Sequence, residues 1–139
     1  MPVHTRRFNI SAKPDTDILD ITEFVQREVS AAGLKSGIAL VFVPGSTAAI
    51  STIEYESGVV RDLAEALERI VPQGIRYAHD MRWHDGNGHS HVRSALVGPS
   101  FTVPFADRKL LLGAWQQIVL LDFDVRSRRR EIIVQLIGE

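Results

Sequence analysis

A chain of 139 residues, 45% hydrophobic and 24% charged, has the length and balance of one globular domain with a single sizeable core. Its formal net charge of −1 supplies no field that would draw it to nucleic acid or to an acidic membrane surface. The absence of cysteine excludes disulfide scaffolds, thiolate zinc sites and thiol catalysis, leaving imidazole, carboxylate and hydroxyl groups for any chemistry.

Residues 3–10 predict a first strand. Asp20-Ile21-Thr22-Glu23 has the form of a capping box. Apolar Ile21, Phe24, Val25, Val29 and Ala32 then follow at helical spacing as far as Gly33, which supplies a C′ stop. The continuous apolar run 38–43, between Gly37 and Pro44-Gly45, predicts a central strand buried on both faces. Residues 47–53, rich in β-branched side chains, predict the next strand. Val60, Leu63, Leu67 and Ile70 share one face of a helix predicted over 59–70, with Pro72 beyond its end. The polar stretch 80–88 with its two glycines predicts a loop, and 91–97 a short helix closed by Gly98. The final third changes period and predicts strands at 101–105, 110–113, 115–123 and 130–137, joined by turns at 106–109 and 124–129. The runs 38–43 and 118–121 are far too short to span a bilayer, and residues 1–7 do not lead into the apolar region of a secretory signal. No composition break or repeat divides the chain. The expectation is an α+β fold: one domain over 1–139, a mixed, largely antiparallel sheet, two main helices, and a cytoplasmic setting without membrane or nucleic-acid partners.

Four of the five histidines, His79, His84, His89 and His91, fall within 13 residues. Neutral imidazole is the commonest metal-binding side chain, and His-x-His places two rings on one side of an extended backbone. On a helix the same spacing points them apart, so joint chelation requires His89 to precede the helix. Gly86 and Gly88 permit turns that fold His79 or His84 back toward the pair. His79, His89 and His91 are the candidate ligands of a divalent ion, zinc or magnesium, with an open water position. The competing reading is a set of idle, solvated histidines, and His84 alone is read that way.

Other parts are weighed similarly. Pro44-Gly45-Ser46-Thr47 follows a predicted strand and offers backbone N–H groups and two hydroxyls to an anion; without the Walker pattern, an ordinary turn is the plainer reading. Glu54, Glu56 and Asp62 suit the positive end of a helix dipole, and for Glu56 that role outranks catalysis. Trp115 and Gln116 either line a planar ligand or pack in the core, where a buried glutamine needs partners. Arg126, Arg128, Arg129 and Arg130 crowd one turn, solvated by default, with phosphate binding or a subunit interface as the functional alternatives. A nucleic-acid patch would want more basic residues and interleaved aromatics.

The run Gly88-His89-Ser90-His91-Val92-Arg93-Ser94-Ala95-Leu96-Val97-Gly98-Pro99-Ser100, followed by Leu112-Gly113-Ala114-Trp115-Gln116, resembles the YjbQ-like proteins, the so-called secondary thiamine-phosphate synthases. The resemblance covers nearly the whole chain. It implies an α+β fold assembled as a homotrimer with pockets between subunits, and weak synthase activity on small phosphorylated molecules. It also implies recurrent polar positions at Glu54, Asp62, His79, His91, Ser100, Trp115, Gln116 and the arginines Arg128, Arg129 and Arg130. Gly45-Ser46-Thr47-Ala48 stands where many members carry His-Thr-Thr/Ser-Ala, so an expected histidine is absent, with His89 the candidate to replace it; Ala114 stands where Thr is usual. The expected assignment makes His91, His79, Glu54 and Gln116 catalytic. Ser46, Thr47, Arg93, Ser100, Trp115, Arg128, Arg129 and Arg130 would bind substrate. The alternatives are a metal-dependent hydrolase of a small phosphorylated or carbonyl substrate, and a non-enzymatic small-molecule binding trimer.

Overall fold

The apolar runs 38–43 and 118–121 become the centres of two antiparallel sheets. The computed structural model describes every residue, Met1–Glu139. Its strands are β1 (Val3–Ala12), β2 (Asp17–Asp20), β3 (Gly37–Phe42), β4 (Ala48–Ile53), β5 (Ser100–Ala106), β6 (Lys109–Leu110), β7 (Gln117–Asp122) and β8 (Arg128–Gly138). Its helices are α1 (Thr22–Ala31), α2 (Ser57–Ile70), α3 (Ala78–Trp83) and α4 (Gly88–Val97). One sheet has the order β1-β8-β3-β5-β6 and the other β2-β7-β4, every pairing antiparallel. The α+β architecture expected from the sequence is present.

The core explains the layering. Ala39 and Val41 of β3, Ile132, Val134 and Leu136 of β8 and Val103 and Phe105 of β5 meet Ala48 and Ile50 of β4 and Ile118 and Leu120 of β7, with Val25 and Val29 of α1 closing one side. Ala49, Val119, Leu121 and Phe123, on the other face of the small sheet, pack with Leu67 of α2. The small sheet is thus covered on both faces, and β7 at its centre has Ile118, Val119, Leu120 and Leu121 all fully buried. That corrects the reading of 38–43. In β3 burial alternates, with Ala39 and Val41 inside and Ile38 45% exposed, because the large sheet has only one covered face. The strand predicted at 110–113 shrinks to the two residues of β6, and β2 was not foreseen.

The helices also depart from expectation. Asp20 accepts from the N–H and hydroxyl of Thr22 but stands one residue before the N-cap, Ile21. Gly33 takes a positive φ of 78°, as a C′ residue should. The predicted loop 80–88 instead holds most of α3, which ends at His84 with φ 56°, and the first residue of α4. Helix α4 starts at Gly88 rather than at 91 for a local reason. The Gly88 N–H donates to Asp80 Oδ1 at 2.8 Å, and a Cβ at this position would come within 2.5 Å of Tyr77 Cβ. Only glycine lets α3 and α4 approach so closely.

Candidate functional site

Helix α4 organises the site. Ser90 donates its hydroxyl to the carbonyl of Phe123 and Ser94 donates to the carbonyl of Ala48 at 2.6 Å, docking the helix on the small sheet. Arg93, 1% exposed, points to a third side and ties three segments together. Its Nε and Nη2 donate to the Val71 carbonyl at 3.1 and 2.9 Å, Nη1 to Thr16 Oγ1 at 2.8 Å, and Nη2 also to Glu68 Oε2 at 2.8 Å. Every nitrogen of this guanidinium is engaged, which removes Arg93 from the expected substrate contacts.

One turn apart on the next stripe, His91, Ser94 and Ala95 face the loop between β3 and β4, and with Gly45, Ser46 and Pro99 they line a cavity of about 250 Å³. Behind His91 stands His79 of α3, the two ring centroids 4.3 Å apart. His79 Nε2 lies 3.3 Å from Asp85 Oδ1. Asn87, turned with its amide nitrogen toward this pair, donates to Asp85 Oδ1 at 2.9 Å and to His79 Nε2 at 3.0 Å. Asp85 therefore orients Asn87, Asn87 fixes His79, and the His79 ring packs against His91. This arrangement can hold or pass a proton at the cavity wall.

The three-histidine metal set is not assembled. Because α4 already begins at Gly88, His89 and His91 are two apart on a helix and point to different sides. His89 is 3% exposed, beside Tyr77 at a ring distance of 6.4 Å and within 3.4 Å of the Ser90 hydroxyl. Burial and then the nearby Arg93 guanidinium push its pKa below the ordinary imidazole value. Nowhere do three His, Asp or Glu side chains converge to hold an ion. His79, His89 and His91 of one chain therefore do not form a three-ligand set, and His89 does not line the cavity that Gly45 borders. His84 is exposed at the end of α3, away from the pair.

The arginine run divides by strand alternation. Arg129 faces out from the large sheet opposite Ser11, exposed. Arg128 Nε donates to Asp124 Oδ2 at 2.7 Å. Arg130 points inward, 9% exposed, with Nε donating to Asp122 Oδ2 at 2.6 Å and Nη2 to Asp122 Oδ1 at 3.0 Å and to Thr47 Oγ1 at 2.8 Å. Burial alone would raise the pKa of Asp124, but bonds from Arg128, the Val125 N–H and Thr47 outweigh it and hold the carboxyl below its usual range. Asp122 and Asp124 escaped the sequence reading. Two acids closing an apolar strand demand partners, and the arginines lie just across the hairpin; that was the available signal.

The remaining candidates collect elsewhere. Glu54, Trp115, Glu23 and Gln117 line a separate cavity of about 440 Å³ at the far end of the small sheet. Ser46 and Glu54 bracket β4, which puts the two cavities about 25 Å apart along an extended strand. Trp115 is 75% exposed and so is not core. Gln116 closes its own turn, accepting from the Gly113 N–H at 3.1 Å and donating to Thr52 Oγ1 at 3.1 Å. Glu56 caps α2 by accepting from Gly58 and Val59, as the dipole reading required. Asp62 is exposed on α2, and Ser100 opens β5 on the outer face, opposite Phe42.

A two-sheet antiparallel α+β fold with a histidine-lined cavity between α4 and the β3–β4 loop defines the class of protein. The model of the YjbQ-like family, described as UPF0047 protein YjbQ-like, matches residues 6–139, and the chain belongs to that family. A UPF0047 protein of Archaeoglobus fulgidus is 39% identical over 120 residues, covering 86% of this chain and 91% of that one. One of Methanocaldococcus jannaschii is 34% identical over 134 residues, covering 96% and 94%. Among solved structures, a YbjQ-like protein of unknown function from Sulfolobus solfataricus superposes with a TM-score of 0.94 at 31% identity over 99% of both chains. A hypothetical protein from Aeropyrum pernix gives 0.90 at 29% identity over 98% of this chain and 99% of that one. None of these descriptions carries an activity.

Proposed function

We propose that this chain is a transferase of the secondary thiamine-phosphate synthase type, acting on small phosphorylated molecules at the His91 cavity as a homotrimer. The observation that carries the reading is the His79–His91 pair, held by Asp85 and Asn87 at the wall of a cavity that also offers Ser46 and Ser94. In the reaction, the bond from the pyrimidine methylene carbon to diphosphate oxygen breaks, and the thiazole nitrogen supplies the electron pair for the new C–N bond. Pyrophosphate leaves with the old pair. Such a step needs donors aimed at the departing oxygens more than a protein nucleophile. His91 is the group suited to give a proton or a hydrogen bond there. No part of the scheme uses a protein-held metal, because the histidines do not form a ligand set.

Assembly is part of the proposal. The uncovered face of the large sheet carries Ile38, Leu40 and Phe42 of β3 beside Ile133 and Ile137 of β8, an apolar strip without a layer above it. Sedimentation equilibrium at micromolar concentration is expected to give about three times the chain mass of 15.5 kDa, and a clean monomer refutes the assembly. For catalysis, the protein is given both phosphorylated precursors with magnesium, and thiamine phosphate is measured. His91→Ala should lower the rate by about 10²–10³ without dissociating the trimer. A wild-type rate no greater than background ends the synthase reading.

A further inference from the structure

Arg130 is nine-tenths buried, yet its bonds use only Nε and Nη2. The third nitrogen, Nη1, lies beside Gly45, where a Cβ would stand 3.1 Å from it. Gly45 has a φ of 146°, a conformation that L side chains rarely adopt. The same loop leaves three consecutive backbone donors over. None of the backbone or side-chain hydrogen bonds of the loop uses the N–H of Gly45, Ser46 or Thr47, although Thr47 is buried. Unpaired N–H groups in succession beside a guanidinium edge are the chemistry of an oxyanion seat.

The nearby carboxylates do not occupy or repel that seat decisively. Asp122 is bound by Arg130 and by the Asp124 N–H, and Asp124 by Arg128, Thr47 and the Val125 N–H. Two arginines balance two acids, so the recognition rests on directed hydrogen bonds rather than on net charge.

We propose that Arg130 Nη1 and the backbone N–H groups of Gly45, Ser46 and Thr47 form a seat for a phosphate or diphosphate group, and that Gly45 keeps it open. Gly45 and Ser46 also line the His91 cavity, so the seat anchors the anionic end of the substrate proposed above and rests on that reading for its role. The departure at position 45 then has a physical meaning: a side chain there would press on the guanidinium that the glycine uncovers.

The test titrates the full-length protein with inorganic phosphate and with pyrophosphate, by calorimetry and by amide NMR. Wild-type protein is expected to bind pyrophosphate and to shift the amide resonances of Gly45, Ser46 and Thr47. Gly45→Ala should bind about tenfold or more weakly, the effect of losing a charge-assisted hydrogen bond, while Gly74→Ala, whose Cβ meets open space, should bind normally. Should Gly45→Ala not fold, the wild-type amide shifts decide alone. No binding at millimolar pyrophosphate, shifts confined to other residues, or equal affinity in a folded Gly45→Ala variant would each overturn the seat. Binding lost at Gly45 in a protein that makes no thiamine phosphate would sink the synthase reading and leave the seat standing.

Discussion

Replacing Arg93 with Met separates a structural arginine from a substrate-binding one. Methionine keeps most of the apolar stem and removes the guanidinium. The Val71 carbonyl, on a residue 4% exposed, loses two donors, at 3.1 and 2.9 Å. Leaving a buried acceptor without its charged donor costs about 1–3 kcal/mol. The bond to Thr16 adds about 1 kcal/mol. The bridge to Glu68, whose side chain is 53% exposed, adds no more than about 1 kcal/mol after solvent screening. The sum, about 2–5 kcal/mol, is a large part of the 5–15 kcal/mol or so that typically holds a domain folded, and corresponds to a fall in Tm of about 7–17 °C. Urea unfolding at fixed protein concentration, followed by far-ultraviolet circular dichroism, measures the loss. Pyrophosphate binding per folded molecule should be unchanged, because the guanidinium faces Val71, Thr16 and Glu68 and not the cavity. A destabilisation below about 1 kcal/mol, or a stable fold that no longer binds, would refute the reasoning.

Two further predictions concern pH. His89 has a lowered pKa, so the folded state favours neutral imidazole; below the unfolded value of about 6.5 the unfolded chain binds the extra proton, and stability falls toward the depressed folded value. His89→Gln should flatten the slope of unfolding free energy between pH 6.5 and about 5 relative to wild type, and identical slopes would show that His89 is not responsible. Asp124 is also lowered, so its contribution is present above the unfolded value of about 3.9 and lost as pH falls through the folded one. Asp124→Asn should cost about 1–3 kcal/mol at pH 7 by weakening the charge-assisted bonds that the buried carboxylate accepts from Arg128 and the Val125 N–H, and the gap to wild type should narrow below about pH 4. A gap that stays constant across that range would count against the assignment.

Helix α2 could be read from its sequence almost to the residue, since Val60, Leu63 and Leu67 keep one period and the apolar face has a single possible direction. The fold class and the family resemblance were equally legible, because patterning and the 88–100 and 112–116 runs are local properties of the chain. The crowding of four histidines into one window was legible too, but its geometry was not. Whether His89 joined His91 depended on where α4 began, and that was decided by Asp80 and Tyr77 from the preceding helix. Strand alternation says that Arg129 and Arg130 point oppositely, but not which faces inward; the register of β8 between β1 and β3 chose Arg130. Local sequence thus determined the elements, their apolar faces and the inventory of chemical groups. Tertiary packing decided which groups meet, because burial forced Arg93 and Arg130 onto particular partners and left Nη1 of Arg130 beside Gly45, which has no side chain to cover it.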